Sequence, residues 1–367
     1  MANPYRALLL LLLPLVGGCP LPDDKDTSDT SDTSDTTDTD SGGDTDTDTA
    51  APVSETGCYV LPTDITECPA PELVPVDQVT PDTCGAEVIS VDGAGTPDEN
   101  CANIGGMAPL SFCRYPLTVI PPEEECAYGR PLVIDGAPRL APLLRRDGWL
   151  AGPEAGPAAP AERAFAWARI GLAEHASIAS FSRFALDLLQ FGAPADLVAD
   201  AHAAAADEVR HAKLAFGLAA RGAMGHVGPG PLDLRAMELS VDLVELAEAT
   251  AREGCIAETL SALLMAEAHD RTTDPAERSA LAVIARDEAR HAALAWRTVR
   301  WAAEAGGVTV REALARVFAE APAVPGDTPG GLLAPDVARS VIARGWRDVI
   351  GPAAAALLAD VESAATA

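Results

Sequence analysis

The chain has 367 residues, 48% of them apolar and only 4% aromatic, and carries a formal net charge of −29. Residues 21–50 hold −10 of that charge in eleven Asp and one Lys and leave −19 on the remainder, which excludes nucleic acid as a partner. The length has room for two domains beyond that acidic stretch.

The opening "MANPYRALLLLLLPLVGGC" has one arginine, an apolar run too short for a spanning helix, and small residues ahead of Cys19. This is the pattern of an export signal over residues 1–18. Its end, "LVGGC", resembles the lipobox of bacterial lipoproteins. That resemblance implies cleavage before Cys19, acylation of Cys19, and a chain held at the membrane of the bacterial cell envelope by lipid rather than by a helix. An ordinary cleaved signal followed by an incidental cysteine is the alternative. Residues 19–50, almost entirely Asp, Thr and Ser after the cysteine, cannot bury enough apolar surface to offset chain entropy and are expected to form a disordered tether.

Residues 51–134 contain Cys58, Cys68, Cys84, Cys101, Cys113 and Cys126 among many Pro, Gly and Thr. Six cysteines in an exported segment with little apolar content predict a small disulfide-stapled module with three bridges and fifteen possible pairings. No Cys-x-x-Cys pair occurs among them, which argues against zinc or a redox dithiol. A Pro/Gly/Ala-rich linker covers residues 135–160.

From residue 161 the composition turns to Ala, Leu, Glu and Arg, and four long helices are expected: about Ala161–Phe191, Ala195–Arg221, Leu239–His269, and from "TDPAE" to Ala305. Short turns join the first pair and the second pair, whereas residues 222–238 make a long connection between them. Two antiparallel hairpins and one long crossover predict a four-helix bundle over residues 161–305. Residues 306–367 add helices near Val310–Glu320 and Pro335–Ser363, packed on the bundle without recognisable chemistry.

"DEVRHAKLAF" at residues 207–216 has a near copy in "DEARHAALAW" at residues 287–296. In each, Glu and His three residues apart project from one helical face, and that face is otherwise apolar. Glu208 and His211 sit on a stripe with Leu197, Ala201, Ala204, Ala215 and Leu218; Glu288 and His291 sit with Leu281, Ile284 and Ala295. The other two helices carry Glu174 between Ile170 and Ile178, and Glu258 between Gly254 and Ser261. A charged residue on a core stripe is costly unless something pairs with it, and here four helices each carry one. Glu174 lies eighteen residues before Gly192 and Glu208 sixteen after it, so at about 1.5 Å per residue both reach the same level. "GLAEHASIA" and "CIAETLSAL" echo one another around Glu174 and Glu258, consistent with an internally duplicated half-site.

On these residues the sequence resembles the ferritin-like di-iron carboxylate superfamily, which includes rubrerythrins, bacterioferritins and bacterial multicomponent monooxygenases. The resemblance spans residues 161–305 and implies a mainly α, ferritin-like fold with a two-metal centre of six ligands. Glu174 and Glu258 would be terminal, Glu208 and Glu288 bridging, and His211 and His291 would give one nitrogen to each metal. Two irons are the expected pair, with Fe/Mn or Mn/Mn as alternatives. Asp207 and Asp287 are expected to hold the distal imidazole nitrogens, with Arg210 and Arg290 pairing those aspartates; exposed i,i+3 ion pairs are the alternative. The signal, the tether and the Cys-rich module depart from the family's pattern.

The expected activity is oxidoreduction with O2 or peroxide, as a ferroxidase or a peroxide scavenger. The alternative is a metal-stapled structural or binding lipoprotein whose Cys-rich module meets an envelope protein partner. His175 is expected on the helix surface or just outside the ligands, Cys255 as an inert buried thiol, Trp167 in the core and Glu267 in solvent.

Overall fold

The computed structural model describes residues 52–60, 67–74, 79–81, 87–97, 112–120, 130, 132–134, 137–151, 158–222, 225–320 and 332–365. The stretches expected to be an export signal and a tether, with Cys19, and Cys84, Cys101 and Cys126 lie outside them. So does the side chain of Cys58, whose backbone runs in the first strand.

The N-terminal part is a small antiparallel sheet. Its strands are β1 (Val53–Val60), β2 (Val79–Pro81), β3 (Glu87–Val91), β4 (Thr96–Pro97) and β5 (Phe112–Ile120). They run in the order β2-β1-β5-β3, with β4 also on β5. On β5 every second residue, Cys113, Tyr115 and Leu117, is buried, as a half-covered strand requires. The Tyr115 hydroxyl donates to the Pro69 carbonyl at 2.7 Å. Of the three bridges expected, the described residues contain one, Cys68–Cys113.

The stretch read as a linker contributes to the fold. After β6 (Val133–Ile134) and β7 (Ala137–Pro138), β8 (Leu143–Arg145) pairs antiparallel with β9 (Val227–Pro229), which belongs to the long crossover of the bundle. Leu132 and Ile134 pack on Ala176 of the first long helix with Leu232 and Met237.

Helices α1 (Ala161–Gln190) and α2 (Ala195–Ala219) form the first hairpin. Their turn depends on Gly192 at φ 70°, where Gly192 N–H bonds Leu189 O at 3.2 Å and Ala193 N–H bonds Leu188 O at 2.9 Å. This is the double closure in which glycine avoids the left-handed penalty of a side chain. The second hairpin differs from expectation at its start. Its first arm starts at α3 (Leu243–Ala249), because Asp242 caps the Glu245 N–H, not at Leu239. It passes through a nine-residue π-helical segment, Thr250–Glu258, before α4 (Thr259–Arg271). The second arm, α5 (Pro275–Ala319), begins where Asp274 accepts from the N–H groups of Ala276 and Glu277. Its regular helical geometry breaks where expected, in the glycine pair that follows Ala305. Gly307, at φ 63° and ψ −145°, is non-helical and divides it, so the segment expected as a separate helix near Val310 follows the break.

The terminal stretch is α6 (Pro335–Gly345), a short π-helical segment Trp346–Ile350, and α7 (Gly351–Ala365). Ala338, Val341, Ile342, Val349, Ile350 and Leu357 join Leu260, Leu263, Leu281 and Trp296 in the main core. At the turn between α4 and α5, buried Glu277 accepts from Arg163 Nε at 2.9 Å, Trp167 Nε1 at 2.9 Å and Thr272 Oγ1 at 2.8 Å. One carboxylate thus ties α1 to the second hairpin.

Candidate metal centre

Glu174 comes from α1, Glu208 and His211 from α2, Glu258 from the last residue of the π-helical segment, and Glu288 and His291 from α5. All six are buried, Glu174 the least so at 8% exposed. Glu174, Glu208, His211 and Glu288 can each place one ligand atom within 4.8 Å of the others, and so can Glu258, Glu288 and His291. Glu288 therefore belongs to both groups. Its Oε1 lies 3.2 Å from His211 Nδ1 and its Oε2 3.9 Å from His291 Nδ1. Glu208 also reaches both ways, with Oε2 3.6 Å from His211 Nδ1 and Oε1 3.0 Å from His291 Nδ1. Glu174 and Glu258 stand at the ends, 3.7 Å from His211 Nδ1 and 3.9 Å from His291 Nδ1.

These short separations are not satisfied hydrogen bonds. Both oxygens of Glu208, both of Glu258, Oε2 of Glu288 and Nδ1 of both histidines are fully buried and lack a hydrogen-bond partner. Buried polar atoms left this way cost on the order of 1–3 kcal/mol each, and more for charged groups. A concentration of them in one layer of a bundle calls for an explanation, and a cation bound among them supplies one. Four carboxylates and two imidazoles suit a pair of divalent first-row ions, so the donor set fits the group that the resemblance implies.

The electrostatics point the same way. Burial, with Glu208 and Glu288 adding like charge, pushes Glu174 well above the usual carboxylate range; burial and Glu288 do the same to Glu258. Burial would also raise Glu208, but His211 and His291 outweigh it and hold Glu208 low. Burial works against charge on both imidazoles, yet the surrounding acids win: His211 is raised well above its ordinary value, and His291 to about 9. Without a cation the cluster gathers protons instead.

Around it runs a crossed frame. His211 Nε2 faces Asp287 at 3.3 Å, and His291 Nε2 faces Asp207 at 3.4 Å, so each aspartate serves the histidine of the other motif. Burial alone would raise both aspartates. His211 and three arginines keep Asp287 ionised, and His291 with Arg210 and Arg290 keep Asp207 ionised. An ionised carboxylate only accepts, so Nε2 donates, and it is Nδ1 that faces the cluster and would offer its lone pair inward once its proton leaves. Arg210 bonds Asp207 at 2.7 Å and also Asp287, whereas Arg290 bonds Asp287 at 2.6 Å and Asp207 at 2.8 Å. The exposed i,i+3 pairs weighed from sequence are present, but each arginine also spans to the other helix.

Sequence reasoning missed a second polar layer. Arg130 is 2% exposed and its Nε lies 3.4 Å from Glu253 Oε2, while Arg183 donates to the same carboxylate at 2.9 Å. Glu253 stands five residues before Glu258, which gives it no motif spacing. Gly254 is required here because a Cβ on it would lie 2.4 Å from the Ala295 Cβ. Gly254→Ala is expected to push the π-helical segment off α5 and cost about 1–3 kcal/mol, read as a lower melting temperature.

Of the residues set aside, Cys255 is a buried free thiol and Trp167 is in the core. His175 packs edge-on against Trp149 with ring centroids 5.0 Å apart, and burial lowers it to about 4. Glu267 stays partly exposed and pairs at the surface with Arg271 at 2.8 Å and Arg344 at 3.6 Å.

Comparisons of the chain with protein-family models, curated proteins and solved structures give no significant match. The residues themselves show a buried carboxylate and imidazole cluster of the di-metal type, held in a helical bundle whose packing is consistent with the ferritin-like superfamily.

Proposed function

We propose that this chain is a lipid-anchored envelope protein whose bundle holds two iron ions and acts as an oxidoreductase on O2 or peroxide. The supporting observation is the set of orphaned buried ligand atoms on Glu208, His211, Glu258, Glu288 and His291. Glu174, Glu208, His211 and Glu288 would hold one ion, and Glu258, Glu288 and His291, with Glu208 reaching across, the other. When bound, such a pair supplies a redox couple able to pass electrons to O2 or peroxide.

The chain's own part is to keep both Nδ1 lone pairs turned inward through Asp207 and Asp287, and to surround the centre with apolar side chains that exclude water. Ferroxidase or peroxide-scavenging activity fits a cell-surface protein without a nucleotide fingerprint better than hydroxylation, which needs a dedicated reductase.

Loading the purified chain with Fe(II) under anaerobic conditions and then adding O2 or peroxide tests this reading. Consumption of the oxidant in step with loss of Fe(II), abolished in Glu208→Ala, is the expected result. Two tightly held ions without oxidant consumption would establish a metal staple instead.

Metal binding is expected to release protons. With His291 raised to about 9 and Glu174, Glu258 and His211 raised as well, the metal-free cluster is partly protonated at neutral pH, and those protons must leave as ions enter. Apparent affinity should accordingly rise from pH 6 to pH 9. Calorimetry in buffers of different ionisation enthalpy measures the protons released; no release would contradict the electrostatic account.

A further inference from the structure

The π-helical segment Thr250–Glu258 is nine residues long, and its last residue is the cluster acid Glu258. Such wide turns mostly occur singly, so a run of this length needs something to hold it. Glu253, near the middle of the segment, is where its surroundings take hold. Arg183 Nη2 donates to both Glu253 oxygens, at 2.9 and 3.2 Å, and Arg130 Nε lies 3.4 Å from Oε2. The Ser180 hydroxyl approaches Oε2 at 3.5 Å. Both guanidinium groups are themselves fixed. The Ser177 hydroxyl donates to the Arg130 carbonyl at 3.0 Å, the Arg130 guanidinium lies 4.0 Å over the Phe184 ring, and Arg183 Nη1 donates to the Val133 carbonyl at 3.3 Å. At the next residue α5 presses on the segment, because a Cβ on Gly254 would lie 2.4 Å from the Ala295 Cβ.

The echo between the two halves supplies a comparison. "GLAE" at residues 171–174 matches "CIAE" at residues 255–258, so Glu253 and Gly254 stand where α1 has Arg169 and Ile170. Helix α1 is regular α-helix over Ala161–Gln190. The clamped carboxylate and the π-helix therefore occur together in one half, and the other half has neither. In an α-helix five residues turn through about 140° beyond a full revolution, so a Glu253 held against α1 would leave Glu258 facing elsewhere. Bonding from i to i+5 brings the two onto one side of the helix. From this geometry we infer that Glu253 is a positioning residue: held by Arg183 and Arg130, it keeps the segment in the π register that turns Glu258 into the cluster. The consequence for metal rests on the di-metal reading above: Glu258, Glu288 and His291 hold an ion together only while Glu253 is held.

Crystal structures of metal-free variants of the full chain, with Mn(II) titrations in which free ion is counted by electron paramagnetic resonance, test this. In E253A the segment should return to α-helix without metal, and Glu258 should turn out of the cluster. One Mn(II) should then bind as it does to the parent chain, and the other more weakly by about tenfold or more. E253Q keeps an oxygen for Arg183 and should keep both the π-helix and both ions. A merely structural glutamate would lower the melting temperature of E253A and leave register and ions unchanged. R183M removes both hydrogen bonds yet leaves Glu253 its ion pair with Arg130, so no charge is orphaned; it should shift the register as E253A does, and it decides the point if E253A does not fold. A segment still π-helical with Glu258 in place, or equal weakening of both ions, would overturn the inference while leaving the di-metal reading intact. A parent chain that binds no Mn(II) would overturn the di-metal reading, and the metal-free structures would still decide what Glu253 does.

Discussion

Glu288→Gln is expected to lose both ions at once. Glu288 is the residue common to the two ligand groups, with Oε1 toward His211 and Oε2 toward His291, and an amide is a poor substitute for a shared carboxylate. Removing partners outside a ligand set already costs about 10- to 100-fold in affinity, so losing the shared ligand should cost more than about 100-fold at both sites. The metal-free protein should respond differently. One of four crowded carboxylates becomes neutral at nearly constant volume, relieving the like-charge repulsion that raises Glu174 and Glu258. Its melting temperature in chelator should therefore hold or rise, while the increase on adding metal disappears. Loss of stability in chelator equal to the loss with metal would assign Glu288 a packing role instead.

The largest loss of stability is expected far from the cluster, in Glu277→Ala. Glu277 is 6% exposed and accepts from Arg163, Trp167 and Thr272, and those bonds join α1 to the turn between α4 and α5. Without it, the buried Trp167 Nε1 and Thr272 Oγ1 lose their acceptor beside a partly buried guanidinium. Breaking such a buried pair from one side costs about 3 kcal/mol or more, or a fall on the order of 10 °C in melting temperature for a bundle of this size. Glu277→Gln keeps an acceptor for the indole and the hydroxyl and should lose less than half as much. Thermal unfolding followed by circular dichroism separates the two. Equal, small effects would place the stability of this end in the apolar contacts of Leu281 and Trp167.

The same two sites show how much the sequence could reveal. The helices were legible because their composition and turns are local: Gly192 and Asp274 act within a few residues of themselves. Four of the cluster residues were legible because Glu and His stand three apart and the motif is written twice, and Glu174 and Glu258 because each interrupts an apolar stripe at the matching level. Other features depend on the folded chain. Arg130 lies in a Pro-rich segment over a hundred residues from Glu253 and becomes meaningful only once that segment packs on α1. Glu277 reads as an ordinary first-turn acid of α5, and only the fold brings Arg163 and Trp167 to it. The crossing of Asp207 to His291 and Asp287 to His211 depends on which helices lie side by side. The π-helical segment Thr250–Glu258 has no compositional mark distinguishing it from α-helix. One signal was present and passed over: the alternation of Cys113, Tyr115 and Leu117 announces β5, but the cysteines drew the reading toward disulfides alone.

The most direct test of the central claim is an anomalous-difference map from crystals of the protein loaded with Fe(II) or Mn(II), with data collected at the metal edge. The account predicts two peaks flanking Glu288, one beside Glu174 and His211 and one beside Glu258 and His291. A map without peaks in this layer of the bundle, or with metal only at surface carboxylates, would contradict it.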